Sequence, residues 1–394
     1  MISVAYIEQD SGIGGAEMNL LYLAEQMDRK RFRPVVIVPF EGPLTSRLKE
    51  LAVPYQVIRR PKFASTSNYI FGKKIFNPFA VLYDVFVFLP AAMRMRNFLK
   101  KEKIDIVHTN SMIAHIYGAV AAKLAAIPCI WHMQDIIDPK LAFGIVRRLL
   151  VCLGGILPEK IVVVSKAVGS MFDGKSAAKV EVIYNGTDCK KFSQEANGRG
   201  VRRELGISDE ELVVGMVGRL KPWKGQSWLL KAAAKILQKC GNVKFLLVGD
   251  TTFSEKSYRA ELEGLTRVLG LEGRVIFTGF RTDIPQLTAA MDICVLPSVL
   301  PDPCPLVLFD YMASSKPVVA SGIGGIPEIV EHGKDGLLVE PGRDEELADT
   351  IIALLGDADL RGKIASAARE KMVKRFSVEA FVKHFEKLYQ ETAV

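Results

Sequence analysis

The chain has 394 residues, beyond the ~250–300 at which a single core stops growing, so two domains are expected. With 49% hydrophobic and 24% charged residues, 32 Gly and 19 Pro, it is globular and not disordered, collagen-like or of low complexity. The net charge of +8 is uneven: residues 1–190 hold 25 Lys and Arg against 16 Asp and Glu, so the first half carries the basic surface.

The opening run, residues 2–7, has no basic flank and turns acidic at Glu8, which reads as a first strand and not a leader. Short apolar runs then alternate with longer amphipathic stretches, the pattern of strands joined by helical crossovers into a parallel sheet. Strands are predicted at 2–7, 33–38, 55–58, 104–108, 129–133, 161–165 and 180–184. A second set follows at 212–217, 243–248, 275–278, 293–297, 317–320 and 336–339. The fold class is α/β with two sheets, and the periodicity breaks between residues 185 and 212, where Asn-Gly and Gly-x-Gly intervene.

Residues 63–98 hold nine aromatics, flanked by Arg59, Arg60, Lys62, Lys73, Lys74, Arg94, Arg96, Lys100, Lys101 and Lys103. Basic charge with aromatics suits an anionic membrane surface, and a core helix with solvated ends has the same composition. No apolar run reaches the ~18–20 residues of a membrane span; 79–93 is interrupted by Asp84 and Pro90. Six cysteines form no Cys-x-x-Cys pair, which disfavours zinc or disulfides and fits a reducing cytoplasm.

Ser11-Gly-Ile-Gly-Gly15 recurs as Ser321-Gly-Ile-Gly-Gly325, each after a strand and before a helix. Such glycines turn the chain tightly and bring amides toward a phosphate at a helix start. Neither run completes Gly-x-Gly-x-x-Gly, so no dinucleotide site is indicated.

Gly218-Arg219-Leu-Lys-Pro-Trp-Lys224-Gly225 follows the first strand of the second half, at the carboxyl edge where open α/β sheets bind ligands. Arg219 and Lys224 can neutralise a diphosphate there, although solvated surface charge reads alike. Asp302 and Asp310, eight residues apart around a proline-marked helix start, can reach opposite ends of one nucleotide-linked sugar. Capping by Asp302 and a solvated Asp310 is the competing account. Asp357-Ala-Asp359 imitates a metal-binding pair and reads as a helix cap.

The order of Gly14-Gly15-Ala-Glu, Val164-Ser165-Lys, Tyr184-Asn-Gly-Thr-Asp188, Gly218-Arg-Leu, Lys224-Gly225, Asp302-x7-Asp310 and Gly324-Gly-Ile-Pro-Glu-Ile-Val330 resembles the retaining glycosyltransferases of family 4. The resemblance covers nearly the whole chain. It implies the GT-B fold, two Rossmann-like domains whose parallel sheets face a deep interdomain cleft. Residues 1–190 would bind the acceptor, residues 191–375 the nucleotide sugar, and a C-terminal helix within 376–394 would cross back to the first domain.

Carried over by position, the resemblance implies that Gly15 offers its amide to the donor phosphate and that Arg219 and Lys224, after Gly218, hold the diphosphate and stabilise the leaving group. Gly279 and Phe280 would flank the base, Asp302 the donor sugar and Asp310 the ribose. Cys304, Leu306, Gly325 and Ile326 would complete the pocket. His132 resembles the first-domain active-site histidine; His108 is a weaker candidate. The family usually has Glu where Asp302 and Asp310 stand, a loss of ~1.3 Å of reach each, and Pro305 replaces a frequent Gly and offers no N–H.

The implied activity is metal-independent, retaining hexosyl transfer in cell-surface polysaccharide or lipopolysaccharide biosynthesis. The co-substrate would be a nucleoside-diphosphate sugar, UDP-sugar favoured over GDP-sugar, and the acceptor a glycan or lipid-linked molecule. No metal or cofactor is implied. The location would be cytoplasmic and peripheral on the inner face of the plasma membrane, through residues 59–103. Two other accounts compete: a nucleotide-sugar epimerase, and a catalytically weak binding subunit of a glycan assembly complex. No recognised motif supports a nucleic-acid partner.

Overall fold

The computed structural model describes residues 1–59, 67–70, 73–76, 78–137, 144–193, 196–251 and 256–393, with backbone alone for 67–87 and 256. Of the basic aromatic segment, Arg60, Lys62, Phe63 and Phe71 lie outside the described residues, and the side chains of Lys73 and Lys74 lie outside that description too. The chain forms two units, Met1–Ile183 with Val382–Val394, and Tyr184–Phe381.

The first unit is built on β1 (Ile2–Ile7), β2 (Phe32–Val38), β3 (Tyr55–Val57), β4 (Ser67–Ile70), β5 (Lys73–Phe76), β6 (Ile106–Thr109), β7 (Cys129–Met133), β8 (Lys160–Val163) and β9 (Val180–Val182). Seven of these make one sheet in the order β3-β2-β1-β6-β7-β8-β9, every pair parallel. β4 and β5 pair separately as an antiparallel hairpin that the sequence pattern did not predict, because four-residue runs are too short for their alternation to stand out from a loop. Val4, Ala5, Tyr6 and Ile7 are wholly buried, as a strand covered on both faces requires.

The second unit contains β10 (Leu212–Val217), β11 (Val243–Val248), β12 (Val275–Gly279), β13 (Ile293–Leu296), β14 (Val318–Ser321) and β15 (Leu337–Val339), in the order β12-β11-β10-β13-β14-β15. Its core packs Phe245 and Leu247 against Leu229, Leu230, Ala233 and Ile236 of the Gln226–Lys239 helix, all essentially inaccessible to water. Burying each Leu or Phe contributes about 1.5–3 kcal/mol. All thirteen strands expected from the sequence are present, four with both ends as expected and the rest with ends shifted by at most two residues. These are two parallel-sheet, Rossmann-like domains of seven and six strands.

The division at Ile183/Tyr184 lies seven residues before the expected 190/191 boundary. The reason is local: Asn185 and Thr187 hydrogen-bond to Cys304 and Asp310, inside the second unit. The repeated pentapeptide does not repeat in shape. Gly14 is extended at φ −130°, whereas Gly324 is left-handed at φ +65°.

Strand order sets the position of any ligand. β1 pairs with β2 on one side and β6 on the other, and β10 pairs with β11 and β13. At each of these points the crossovers run in opposite directions, so the loops after the strands part and leave a crevice at the carboxyl edge.

Candidate active site

In the second unit the predicted donor residues fall along one sheet edge. Gly279 ends β12 and Phe280 follows it, Gly218 and Arg219 follow β10, Asp302, Cys304 and Leu306 follow β13, and Gly325 and Ile326 follow β14. Five adjacent strands at roughly 4.8 Å spacing set out about 19 Å of edge, long enough for an extended nucleotide sugar.

The centre of that edge is the β10/β13 reversal. Lys224 ends a short 3-10 turn, Pro222–Lys224, and its Nζ lies 2.6 Å from Asp302 Oδ2 and 4.3 Å from the Trp223 ring centroid. The two side chains are only 15% and 5% exposed. The turn is held by Gly225, left-handed at φ +87°, where a Cβ would stand 1.9 Å from the Pro297 carbonyl oxygen. Arg219 is exposed, and its carbonyl accepts from Gln226 Nε2 at 2.9 Å. Asp302 is therefore neither a helix cap nor solvated.

The two motifs around β13 and β14 meet at the backbone of Asp302. Gly325 N–H donates to the Asp302 carbonyl at 2.8 Å, and a Cβ on Gly324 would lie 2.3 Å from that oxygen. Beyond Pro305, the Leu306–Ala313 helix begins and carries Asp310 in its second turn. Asp310 accepts from Thr187 Oγ1 at 2.6 Å, and burial pushes its carboxyl up to about 7 against the lowering effect of that bond. Phe280, 77% exposed, presents an apolar ring at the far end of the edge.

Three residues without an assigned role hold this edge together. Tyr184 donates to Glu328 at 2.9 Å, Asn185 donates to the Cys304 carbonyl at 2.9 Å, and Thr187 holds Asp310. They belong to the Tyr184–Asp188 motif, so the signal was present without its meaning. Arg369, which no pattern singled out, donates to the carbonyls of Cys189, Phe192 and Ala313.

In the first unit, Gly15 opens the Gly15–Gln26 helix, where an amide has no partner within the helix and can meet an anion. Glu17 closes the same turn by accepting from Gly14 N–H at 2.8 Å. Asn110 ties three segments together: its Nδ2 donates to Glu8 Oε1 at 2.7 Å and to the Ala16 carbonyl at 3.0 Å, and its Oδ1 accepts from Gln134. Burial, reinforced by the charge of Glu17, holds the Glu8 carboxyl well above its usual range.

His132 is the fourth residue of β7 and lies inside the unit, 1% exposed, with ring centroids 5.2 Å from His108 and 5.0 Å from Phe385. Burial pushes its imidazole down to about 3. His108 is equally enclosed: Nδ1 lies 2.6 Å from Tyr389 Oη, which donates to Tyr6 Oη at 3.2 Å. Asp357 caps the Ala358–Arg375 helix, accepting from Leu360 N–H at 2.8 Å. Among the described residues no group of three His, Cys, Asp or Glu side chains is placed to hold a metal, and no helix is long and apolar enough to cross a membrane.

Two Rossmann-like units of parallel sheet are the architecture of the GT-B glycosyltransferases. The profile of Glycosyltransferase Family 4 matches residues 13–191, and that of Glycosyl transferases group 1 matches residues 211–357. The crystal structure of Anabaena HepE in complex with UDP and glucose is similar at a TM-score of 0.84 and 31% identity, over 99% of this chain and 100% of that one. Among curated proteins, the Escherichia coli UDP-Gal:alpha-D-GlcNAc-diphosphoundecaprenol alpha-1,3-galactosyltransferase is 26% identical over 100% of this chain and 98% of its own length. The Bacillus anthracis N-acetyl-alpha-D-glucosaminyl L-malate synthase is 28% identical over 78% and 81%. The chain belongs to glycosyltransferase family 4 and is a glycosyltransferase.

Proposed function

We propose that this glycosyltransferase moves a hexose from a UDP-sugar to a glycan or lipid-linked acceptor, with retention of configuration and without a bound metal, in the assembly of a cell-surface polysaccharide or lipopolysaccharide. The observation that carries the reading is the Lys224–Asp302 pair at the β10/β13 reversal. An ammonium has three donors; one serves Asp302, and two remain for diphosphate oxygens. Arg219 adds a bidentate fork beside it, so both cations meet the charge that develops as the C1–O bond to the diphosphate breaks. Asp302, fixed at side chain and backbone, accepts from the donor sugar, and Asp310 accepts from the ribose. Gly279 and Phe280 flank the base, Cys304 and Leu306 frame the sugar, and Gly325 and Ile326 close the phosphate end. The similarity to a protein solved with UDP and glucose supports uridine as the base.

In this reading the first unit binds the acceptor and offers the Gly15 amide to the donor phosphate. His132 supports the acceptor side by packing beneath it. The final helix, Val378–Thr392, crosses back to the first unit. Arg59 and Arg94 line a groove of about 660 Å³ with Glu41, Val57, Ile58 and Phe98, and these two arginines are the cations this reading assigns to an anionic membrane or lipid headgroup. Arg96 is committed elsewhere, donating to the Leu124 carbonyl at 3.0 Å. A proton NMR assay of transfer from UDP-α-glucose or UDP-α-galactose, with and without EDTA, tests the reading. An α-linked product formed equally in EDTA is expected; a β-linked product, or loss of transfer in EDTA, contradicts it.

A further inference from the structure

The Ile145–Ile156 helix of the first unit is apolar on both sides. Its only polar side chains beyond Cys152 are Arg147 and Arg148, and its fully buried positions are Leu150 and Gly154. A Cβ on Gly154 would lie 3.1 Å from Ile161 and 3.4 Å from Trp131, so the missing side chain lets the helix settle closely on β7 and β8. That seam is narrow. On the outward side Ile145, Leu149, Cys152 and Ile156 recur at the spacing of one helix face, and all four are exposed. A helix of a soluble surface turns such a stripe inward and sets charged residues opposite.

The apolar face continues onto two neighbouring helices. Lys123 Nζ donates to the Ile156 carbonyl at 3.3 Å, which places the end of the Met112–Ala125 helix, with the exposed Leu124, beside the stripe. Arg96 Nε donates to the Leu124 carbonyl at 3.0 Å and ties in the Pro78–Lys101 helix, where Leu89 and Met93 are exposed. Of the nine large hydrophobic residues exposed on the first unit among the described residues, six lie on these three helices. Scattered apolar exposure is ordinary, and a concentrated patch marks a surface that meets something.

Charge decides what it meets. The described side chains of these helices, residues 88–101, 112–125 and 145–156, include seven Lys and Arg and no Asp or Glu. Residues 157–177, which follow, add Lys160, Lys166 and Lys175 against Glu159 and Asp173, so the sign stays positive. Solvated surfaces intersperse both signs. A second copy of the chain, related by a two-fold axis, would bring these bases against themselves. An anionic bilayer accepts both features: the apolar stripe enters the headgroup boundary, and arginine and lysine reach up to the phosphates along their own methylenes.

We infer that the face made by the Ile145–Ile156 helix, Leu124 and Met93 docks the protein on an anionic lipid bilayer, with Leu149 and Ile156 inserted and Arg148 against the headgroups. This rests on the peripheral-membrane part of the proposed function, and it supplies the apolar anchor that Arg59 and Arg94 lack.

Co-sedimentation of the full chain tests it, with vesicles of pure phosphatidylcholine and of equal parts phosphatidylglycerol and phosphatidylcholine. The wild type binds the anionic vesicles. Leu149→Glu with Ile156→Glu weakens that binding by about tenfold or more, because two side chains lose their place in the apolar layer. Arg148→Glu weakens it by roughly tenfold on anionic vesicles and leaves any binding to phosphatidylcholine unchanged. Val268→Glu with Val373→Glu, a matched pair exposed on the second unit, leaves binding as it was. Circular dichroism checks that each variant folds; the altered side chains are exposed, and Arg148→Glu alone decides if the first pair does not.

Wild-type binding that survives in Leu149→Glu with Ile156→Glu and is lost in Arg59→Glu with Arg94→Glu overturns this face and leaves the membrane reading standing. No binding of the wild type to either vesicle overturns both. A wild-type dimer in sedimentation velocity that the Leu149→Glu, Ile156→Glu pair converts to monomer assigns the face to a second copy and overturns the inference.

Discussion

Lys224 Nζ meets Asp302 Oδ2 at 2.6 Å across 78 residues of sequence, at the point where the second sheet reverses its crossovers. Each residue makes the other's burial tolerable, because an unpaired charge in so enclosed a place costs several kcal/mol. In the proposed function the same pair fixes both the acid assigned to the sugar and the base assigned to the diphosphate.

Lys224→Ala therefore has two effects. Transfer falls by about 10²–10³, the cost of losing one leading charge-stabilising donor, and stability falls by about 3–5 kcal/mol as Asp302 is left alone. Adding Asp302→Asn recovers much of the stability and none of the activity. Urea denaturation and initial-rate assays on the single and double variants separate the two effects.

Gly324→Ala and Gly322→Ala form a matched pair in one loop. A Cβ at Gly324 would lie 2.3 Å from the Asp302 carbonyl oxygen in a left-handed backbone, whereas at Gly322 the nearest atom is 3.7 Å away. Gly324→Ala is expected to destabilise by about 2 kcal/mol or more and to raise the donor KM by moving Asp302. Gly322→Ala should change neither. Thermal denaturation and donor titration of both variants check this.

Asp310 gives the second unit a pH signature. Its folded-state value of about 7 lies above the ordinary 3.8, so the unfolded chain releases this proton first. Between about pH 4 and 7 the wild type loses stability that Asp310→Asn keeps, and above 7 the difference is constant. Denaturant midpoints from pH 4.5 to 8 measure it; parallel curves would remove Asp310 as the titrating group.

Phe280→Ala takes an exposed ring off the edge and should leave the melting temperature unchanged. If the ring stacks on the base, the Kd for UDP rises by about tenfold, since such stacking contributes ~1–3 kcal/mol. Isothermal titration with UDP reads this directly, and an unchanged Kd would place the base elsewhere.

The architecture was legible because parallel strands are buried on both faces and stand out as continuous apolar runs, as in Val213-Val214-Gly-Met216. The edge proposed for the donor was legible for the same reason: Arg219, Lys224 and Asp302 each follow such a run. Which side chains meet across the edge was not, since the Lys224–Asp302 contact depends on strand order. The pentapeptide shared by Ser11–Gly15 and Ser321–Gly325 shows the limit. Gly324 is driven left-handed by packing on Asp302, and Gly14, extended, takes the N-cap position with Glu17 bonded to its amide. The resemblance offers His132 and His108 as active-site candidates, and their enclosure by Phe385 and Tyr389 comes from a helix more than 250 residues away in sequence.

The central claim is a Lys224-dependent nucleotide site on the second unit. Thermal stabilisation of wild type and Lys224→Ala by UDP, GDP and ADP, with UDP-glucose and UDP-galactose, tests it most directly. Near 100 times its Kd a ligand adds about 2.7 kcal/mol, a readily visible shift. The account predicts a shift of the wild type by UDP and at least one UDP-sugar that exceeds those with GDP and ADP and disappears in Lys224→Ala. An equal shift in the variant, or none with any uridine ligand, would contradict it.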